Sequence, residues 1–242
     1  MRQGYENKST VNEIRDRFEN DVERFSNHET GQSAAVDAAD CLEMIANCAI
    51  QHAPEMKSVL DIGCGAGNFT LRILGKLKQN NVDVTLNDLS ANMLERARQR
   101  VRKNTSGQIT VLQDDIRDIE LANDSYDAIV AAMVFHHLRE DEQWDDVFAS
   151  VYQSLKPGGA LWIYDLVEHE KTVLHDHAWL QYSDYLVSFK GESYRDTVFD
   201  YIAKEDSPRP LMWQLERLLS AGFSSVDVLH KHSTCSAFCA FK

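Results

Sequence analysis

The chain has 242 residues, 43% of them hydrophobic, which is enough for one sizeable α/β domain and too few for two full domains. Its formal net charge of −13 repels phosphate backbones and so argues against a nucleic-acid partner. No window approaches the roughly 18 apolar residues of a membrane helix, so we expect no membrane partner. The five cysteines contain no Cys-x-x-Cys pair, which fits reduced thiols in a cytoplasmic protein.

Residues 10–52 read as two helices joined by a polar segment at 26–31, which predicts a helical cap ahead of the first strand. Strand-like runs and helical patterns then alternate, which is typical of a parallel sheet covered on both faces. The predicted strands are Ser58–Ile62, Val82–Leu86, Ile109–Leu112, Ala128–Ala131 and Ala160–Tyr164. The predicted helices are Asn68–Leu77, Ala91–Arg102 with Ser90 as its N-cap, and Asp141–Leu155, which ends before Lys156-Pro157-Gly158-Gly159.

An aromatic-rich insertion, residues 166–207, follows the fifth predicted strand. We expect it to form a helical lid over the carboxyl ends of the strands, where open α/β sheets bind their ligands. The last two strand-like runs, Ser225–Leu229 and Thr234–Phe241, are separated only by the polar turn 231–233. So short a connection permits only antiparallel pairing, so the sequence predicts a five-strand parallel core with an antiparallel C-terminal hairpin.

The loop after the first predicted strand carries the most specific pattern in the chain. Asp61 ends the strand, and Gly63, Gly65 and Gly67 alternate before the next helix begins. Glycine has no Cβ, so the backbone there can adopt positive φ and approach a ligand closely. A dinucleotide fingerprint needs glycine at its sixth position, which Asn68 occupies, so NAD is disfavoured. A close-packed turn without a ligand is the alternative interpretation.

This loop, Val59-Leu-Asp-Ile-Gly-Cys-Gly-Ala-Gly-Asn-Phe-Thr70, and the segment Leu86-Asn-Asp-Leu-Ser90 resemble the class I S-adenosylmethionine-dependent methyltransferases. The resemblance covers residues 56–165 and 209–242. It implies a single Rossmann-like α/β domain over residues 1–242, with a seven-stranded, mostly parallel sheet and helices on both faces. It also implies S-adenosyl-L-methionine as the cofactor and a small molecule as the methyl acceptor. The sequence leaves the oligomeric state open, a homodimer included.

The resemblance assigns the cofactor contacts nearest the first two strands. Asp61 either helps to orient the methionine ammonium or stabilises the turn. Asp88, 25 residues after Gly63, is placed to accept hydrogen bonds from both ribose hydroxyls. Leu89 presents an apolar edge to the adenine or belongs to the core. The loop residues expected to contact the cofactor are Gly63, Cys64 and Gly65.

Further contacts follow the third and fourth strands. The resemblance implies that Asp115 accepts a hydrogen bond from the adenine amino group while the Ile116 amide donates to a ring nitrogen. A surface loop that binds no ligand could have a similar sequence, so this alternative stays open for Asp115. Ala132 stands where many family members carry asparagine, so one side-chain hydrogen bond is missing or is moved to the backbone.

Catalysis needs a general base only if the acceptor arrives protonated. Candidate bases near the strand ends are His136, His137 and Asp165, of which we favour His137, although each histidine could also be structural. We expect the lid residues Tyr182 and Tyr185 to contact the substrate. His175 and His177 lie two apart, on different sides of a predicted helix and without a nearby cysteine pair, so we expect no metal site.

Two other functions remain open. The lid, with Arg195, and the segment Ala221-Gly222-Phe223 also resemble carboxy-S-adenosylmethionine synthases, in which a lid arginine holds the extra carboxylate of the cofactor. This resemblance implies such a synthase, or a carboxy-S-adenosylmethionine-binding enzyme of tRNA wobble-uridine modification. Their Tyr-Ser-Asn appears here only as Phe25-Ser26-Asn27. The other alternative is a non-catalytic cofactor-binding module, although an exposed aromatic lid argues against it.

Overall fold

The computed structural model describes residues 7–27 and 33–242, so most of the predicted junction at 26–31 lies outside the described residues. The strands are β1 (Ser58–Ile62), β2 (Asp83–Asn87), β3 (Ile109–Leu112), β4 (Tyr126–Ala132), β5 (Leu155–Leu166), β6 (Ser225–His232) and β7 (Cys235–Phe241). The helices are α1 (Val11–Asn20), α2 (Val22–Ser26), α3 (Ala38–His52), α4 (Asn68–Leu74), α5 (Ala91–Val101), α6 (Asp141–Ser154), α7 (Thr172–Lys190), α8 (Glu192–Glu205) and α9 (Leu211–Ser220).

One sheet of seven strands runs through the described part of the chain in the order β3-β2-β1-β4-β5-β7-β6. The first five strands pair in parallel, whereas β7 is antiparallel to both β5 and β6. The direction of the chain therefore reverses only at the C-terminal hairpin. This arrangement confirms the predicted Rossmann-like fold class, and it brings the carboxyl ends of β1, β2 and β4 to one edge of the sheet.

Both faces of the sheet are covered because successive strand residues point to opposite sides. In β1, Val59 belongs to a buried cluster with Ile45 of α3 and Ile73 of α4. The next residue, Leu60, belongs to a second cluster that contains Phe148 of α6 and Leu218 of α9. The continuous apolar run of β1 is thus explained by burial on both faces.

Several predicted boundaries differ from the structure. Helix α4 ends at Leu74, with Gly75 as its C-cap, instead of at Leu77. Strand β2 begins one residue later than predicted because Asp83 pairs with Ser58 at the start of β1. Ser90 is the N-cap of α5, as predicted, and its hydroxyl accepts from the Met93 amide at 3.1 Å.

The largest boundary error concerns the segment 156–159. We expected it to separate α6 from the fifth strand, but β5 already begins at Leu155, which pairs with Tyr126. The register of β4 against β5 shifts between Tyr126 and Ala128, and this irregularity accommodates the proline and glycines. The turn of the hairpin also differs, because β6 continues through His232 and leaves only residues 233–234 as the turn.

Two helical regions border the carboxyl edge of the sheet. The described residues of the predicted N-terminal cap form three helices, α1 to α3, instead of two. Glu19 of α1 accepts from the Ala91 amide at 2.7 Å and the Asn92 amide at 3.1 Å, which holds the cap against the first turn of α5. The insertion contains α7 and α8, which pack against each other. No helix among the described residues is long and apolar enough to cross a membrane.

Candidate active site

A cavity opens at the carboxyl ends of β1, β2 and β4, where the cap and the insertion meet the sheet. The cap contributes α1 and α2 side chains, and the insertion contributes residues from α7, α8 and the segment that follows. The described lining residues from these two regions include Val11, Ile14, Arg17, Phe18, Tyr182, Tyr201, Ile202 and Asp206. The structure therefore places both regions over the strand ends, as expected.

The three glycines of the loop have different roles. A Cβ on Gly63, whose φ is +59°, would lie 2.4 Å from Val134 Cγ2, so this glycine permits a close backbone contact with the segment after β4. Gly67 has φ of +81° and packs against Ala97 of α5. Gly65 also has positive φ, +50°, but faces open space, with nothing within 4 Å of its added Cβ. Gly65 therefore provides the open surface for a ligand.

Asp88 is held by two main-chain donors at the end of β2. Its Oδ2 accepts from the Gly65 amide at 2.8 Å, and its Oδ1 accepts from the Ser90 amide at 2.9 Å. Burial raises the pKa of Asp88 to about 6, although these hydrogen bonds favour the carboxylate. The carboxylate and the neighbouring Leu89 both line the cavity beside the glycine loop.

Asp61 lies at the base of the same cavity and is 1% exposed. Its Oδ2 accepts from the Thr70 hydroxyl at 2.6 Å and from the Thr70 amide at 3.3 Å. Burial raises the pKa of Asp61 to about 7, and the charge of Asp88 adds to the increase. Cys64 lies in the loop between them, where burial raises the pKa of its thiol well above the usual value.

Asp115 lines the cavity but is already paired. Arg117 donates to it through Nε at 2.8 Å and through its main-chain amide at 3.0 Å. Burial opposes the charge, but these contacts hold the pKa of Asp115 below its usual value. Ile116 and Ala132 also line the cavity. A ligand that contacts Asp115 must therefore share the carboxylate with Arg117.

The segment after β4 turns through Met133, a non-glycine residue with φ of +60°. Its amide donates to the Tyr164 carbonyl at 2.8 Å, and the chain then forms a short 3₁₀ helix, Phe135–His137. Met133, His136 and His137 all line the cavity. The sequence analysis did not single out Met133, since no local sequence pattern signals positive φ at a methionine.

His136 lies between two buried carboxylates. Its Nδ1 is hydrogen bonded to Asp165, and its main-chain amide donates to Asp165 Oδ2 at 3.2 Å. Its Nε2 lies 3.6 Å from Asp206 Oδ1. Burial alone would lower the pKa of His136, but the charges of Asp165 and Asp206 outweigh it and raise the pKa to about 9. Burial also raises the pKa of Asp206, to about 6.

His137, the favoured general base, has a different environment. Burial and the neighbouring His136 lower the pKa of His137 well below its usual value, so its ring is neutral. Its Nδ1 lies 3.3 Å from Asp206 Oδ1. Neither of these two atoms has a hydrogen-bond partner among the described residues. Asp206 was not predicted as a site residue, because it ends the insertion without any motif around it.

Comparison with known proteins identifies the family. Residues 59–159 match the family described as methyltransferase domain. The chain is 30% identical over 182 residues to YqeM of Bacillus subtilis, provisionally named a methyltransferase, covering 74% of this chain and 60% of that protein. It is also 30% identical over 180 residues to the carboxy-S-adenosyl-L-methionine synthase of Shewanella loihica, covering 70% of each chain. The chain belongs to the class I S-adenosylmethionine-dependent methyltransferases.

A solved structure shows the same fold. The phosphoethanolamine N-methyltransferase 2 of Haemonchus contortus, in complex with S-adenosyl-L-methionine, superimposes with a TM-score of 0.63 and 18% identity. The alignment covers 95% of the present chain and 60% of that chain. S-adenosylmethionine is the cofactor of this family, and the residues present fit it. Gly65 leaves space beside the oriented carboxylate of Asp88, which is the arrangement that a nucleoside ribose requires.

The structure does not bring all the predicted substrate residues to the methyltransferase cavity. Tyr182 lines it and donates to the Ala34 carbonyl at 2.8 Å. Tyr185 instead donates to the Ser33 carbonyl at 2.8 Å, and neither it nor Arg195 is among the described lining residues. Arg195 donates to Asp196 at 2.7 Å and to the Ser183 hydroxyl of α7 at 3.2 Å. We therefore retain only Tyr182 as a candidate substrate contact.

The aromatic lid is also less exposed than expected. Tyr182 is 2% exposed, and its ring centroid lies 5.7 Å from that of Phe199. Trp179 packs edge-on against Phe199 at 5.2 Å between centroids. The rings of α7 and α8 thus cover one another, so the argument that an exposed lid disfavours a non-catalytic module does not hold.

Proposed function

We propose that this methyltransferase moves a methyl group from S-adenosylmethionine to a small molecule that enters the cavity beneath the cap and lid. The observation that carries the proposal is the pairing of Asp88 with the Gly65 amide at the strand ends, where Gly65 faces open space. The cofactor supplies a methyl group already activated on a sulfonium. The protein therefore has to bind, align and exclude water, and it needs no covalent intermediate.

The residues that we assign to the cofactor all lie at or just after the carboxyl end of a strand. Asp88 is placed to accept from the ribose hydroxyls, since main-chain donors already fix the direction of its carboxylate. Asp61, deeper in the cavity, is placed to face the cationic methionine end. The Asp115 carboxylate and Ile116 amide are placed for the adenine, with Leu89 and Ala132 beside them. Gly63 and Cys64 bring the loop to this position.

The cavity residues that the cap and lid contribute, where we expect the methyl acceptor to bind, favour a small, partly apolar substrate. Val11, Ile14, Phe18 and Ile202 bring apolar surface from the cap and lid to the cavity that His137 and Asp206 also line. The net charge of −13 supports a small molecule over nucleic acid. Five free cysteines support a reducing, cytoplasmic setting for the reaction.

A carboxylated cofactor is the second candidate, because the Shewanella loihica relative is a carboxy-S-adenosyl-L-methionine synthase. The position of Arg195 weighs against it. Arg195 is bound to Asp196 and lies 3.2 Å from the Ser183 hydroxyl, so the lid arginine is not turned towards the cavity. The described lining of the cavity contains four arginines. Arg17 is paired with Glu205, Arg24 with Asp21 and Arg117 with Asp115, and Arg139 donates to the Ser9 main-chain oxygen.

Mass spectrometry of small molecules retained by the purified protein tests this proposal. Separate samples are incubated with S-adenosylmethionine and with its carboxylated analogue, then washed and denatured. Preferential retention of S-adenosylmethionine, followed by transfer of a labelled methyl group in a screen of small-molecule acceptors, is the expected result. Preferential retention of the carboxylated form that weakens in Arg195→Ala would favour the second candidate. Retention without transfer to any acceptor class would favour a binding module.

A further inference from the structure

Three nitrogen and oxygen atoms converge beside the cavity. One possible ligand atom from each of His136, His137 and Asp206 lies within 4.8 Å of the other two. Asp206 Oδ1 is 3.6 Å from His136 Nε2 and 3.3 Å from His137 Nδ1. Asp206 is 5% exposed, and its Oδ1 has no hydrogen-bond partner among the described residues, nor does His137 Nδ1. Burial without a partner is costly for a polar atom, because it loses its hydrogen bonds to water and gains none in return. Their convergence points to a bound species that completes the site.

The two rings are prepared to act as ligands. His136 directs its Nδ1 to Asp165, whose Oδ1 also accepts from the Leu166 amide at 2.8 Å. With a donor hydrogen on Nδ1, the ring can give the Nε2 lone pair, which faces Asp206, to an ion that takes the place of a second proton. A carboxylate behind a histidine ligand is the usual support in metal sites, where it fixes the tautomer and the ring orientation.

The separations distinguish a metal site from a hydrogen-bonded cluster. Asp206 Oδ1 lies 3.3 Å from His137 Nδ1 and 3.6 Å from His136 Nε2. Ligands about 2.0–2.1 Å from a tetrahedral ion are about 3.3–3.4 Å apart. A charge-assisted hydrogen bond between a ring nitrogen and the carboxylate would instead be about 2.7–2.9 Å long. The observed spacing matches the edges of a coordination polyhedron better than a charged hydrogen bond.

A second cluster of the same residue types provides the contrast. At the edge of the sheet, His230 Nε2 and His232 Nδ1 lie 2.9 Å and 2.8 Å from the same oxygen of Asp37. These are ordinary hydrogen-bond distances, and both rings are partly exposed. The Asp37 cluster is thus already satisfied, whereas the Asp206 cluster is not.

We propose that His136, His137 and Asp206 bind one divalent transition-metal ion, Zn²⁺ by the donor set, with an open position facing the cavity. Two imidazole nitrogens and one carboxylate oxygen leave a coordination site for an exchangeable ligand. Three cations among the described residues nearby make contacts of their own, and one of them, Arg139, donates to the main-chain oxygen of Ser9. Arg17 donates to Glu205 at 2.8 Å, and Lys8 donates to the main-chain oxygen of Asp206.

The role of the ion rests on the proposed methyl transfer. A hydroxyl of the acceptor that coordinates the ion has a lowered pKa and loses its proton to water. Its oxygen then forms the new bond to the methyl carbon as the carbon–sulfur bond breaks and the electron pair returns to sulfur. The products are a methyl ether, S-adenosylhomocysteine and one proton. His137 acts in this scheme as a ligand instead of the general base.

Direct measurement of metal binding tests the site without an assay of enzyme activity. The full, tag-free chain is stripped with chelator and titrated with Zn²⁺ by calorimetry, and Co²⁺ is followed by its visible spectrum. Asp206→Asn removes the charge with little change of shape, and Asp37→Asn is the matched control at the surface cluster. We expect Asp206→Asn to abolish the tight site and Asp37→Asn to retain it. Asp165→Asn, behind the first ligand, should weaken binding about 10- to 100-fold.

Tight binding that survives in Asp206→Asn, or its absence from the wild-type chain, would overturn the proposal. Circular dichroism checks folding, and His137→Gln replaces Asp206→Asn if that variant does not fold. Affinity for S-adenosylmethionine is measured on the same stripped samples. Loss of Zn²⁺ binding with intact cofactor binding refutes the metal site alone, whereas absence of cofactor binding refutes the proposed methyl transfer.

Discussion

The carboxylate of Asp88 accepts a hydrogen bond from the main-chain amide of Gly65 at 2.8 Å, which joins the end of β2 to the loop after β1. The contact fixes the loop and the carboxylate relative to each other before any ligand arrives. A second donor, the Ser90 amide, holds the other oxygen at the start of α5. Preorganisation of this kind reduces the conformational entropy that ligand binding would otherwise cost.

The first prediction concerns this carboxylate. Asp88→Asn should weaken S-adenosylmethionine binding by about 1–3 kcal/mol, because charge-assisted hydrogen bonds to the ribose are lost or become neutral. Isothermal titration calorimetry measures the change directly. Asp83→Asn, at the opposite end of the same strand and exposed, is the matched control and should bind normally. Equal affinity of the two variants would refute the ribose assignment.

Cofactor binding should also depend on pH. The pKa of Asp88 is raised to about 6, so the protonated form becomes populated as the pH falls from 7 to 5. A protonated carboxyl has less capacity to accept from two ribose hydroxyls, so the affinity should decrease on acidification. Calorimetric titrations at half-unit intervals would show the trend. In Asp88→Asn the same pH series should be flatter, and an unchanged slope would assign the dependence to another group.

The stability of the protein should show the opposite pH trend through Asp61. The pKa of Asp61 is about 7 in the folded chain and near 3.9 when unfolded, so between these values the folded state binds more protons. The free energy of unfolding should then fall as the pH rises from 4 to 7. Asp61→Asn should remove this contribution, roughly 2–4 kcal/mol at pH 8. Urea unfolding at pH 5 and 8 provides the measurement, and identical pH dependence in both proteins would contradict it.

The glycine loop offers a matched pair of substitutions. Both Gly63→Ala and Gly65→Ala introduce about 1–2 kcal/mol of left-handed strain. Only Gly63→Ala also places a Cβ 2.4 Å from Val134, so it should lose more stability on thermal unfolding. Gly65→Ala instead adds a methyl group to the open surface and should mainly weaken cofactor binding. Full cofactor affinity in Gly65→Ala would show that the ligand does not approach this point.

The predictable parts of the site are those that depend on local sequence. Asp61, Asp88 and Asp115 were identified because a parallel sheet brings its carboxyl strand ends together whatever the loops do. Asp206 was not identified, since about 70 residues of chain that contain β5 and three helices, α6 to α8, separate it from His136. The expectation that Arg195 lies at the cavity was wrong for a related reason. Helical periodicity shows that it lies on α8, but the face that meets the cavity depends on how α8 packs against α7.

The last prediction concerns the contact that closes the cap over the cavity. Arg17 of α1 donates to Glu205 through Nε at 2.8 Å and Nη2 at 2.5 Å, and Glu205 is 6% exposed. Arg17→Ala would leave that buried carboxylate unpaired, at a cost of about 3–5 kcal/mol. Because α1 contributes little to the central core, we expect the cap to open locally before the sheet unfolds.

Hydrogen exchange measured in the cap and in the sheet distinguishes local opening of the cap from unfolding of the sheet. In Arg17→Ala, amides of α1 should exchange faster while those of β1 and β4 keep their protection, and bound cofactor should dissociate faster. Arg15→Ala is the matched control on the same helix, because its exposed pair with Asp16 is 3.8 Å long and contributes at most about 1 kcal/mol. Equal exchange of α1 in the two variants would mean that the Glu205 pair does not hold the cap, and that the apolar contacts of Ile14 and Phe18 suffice.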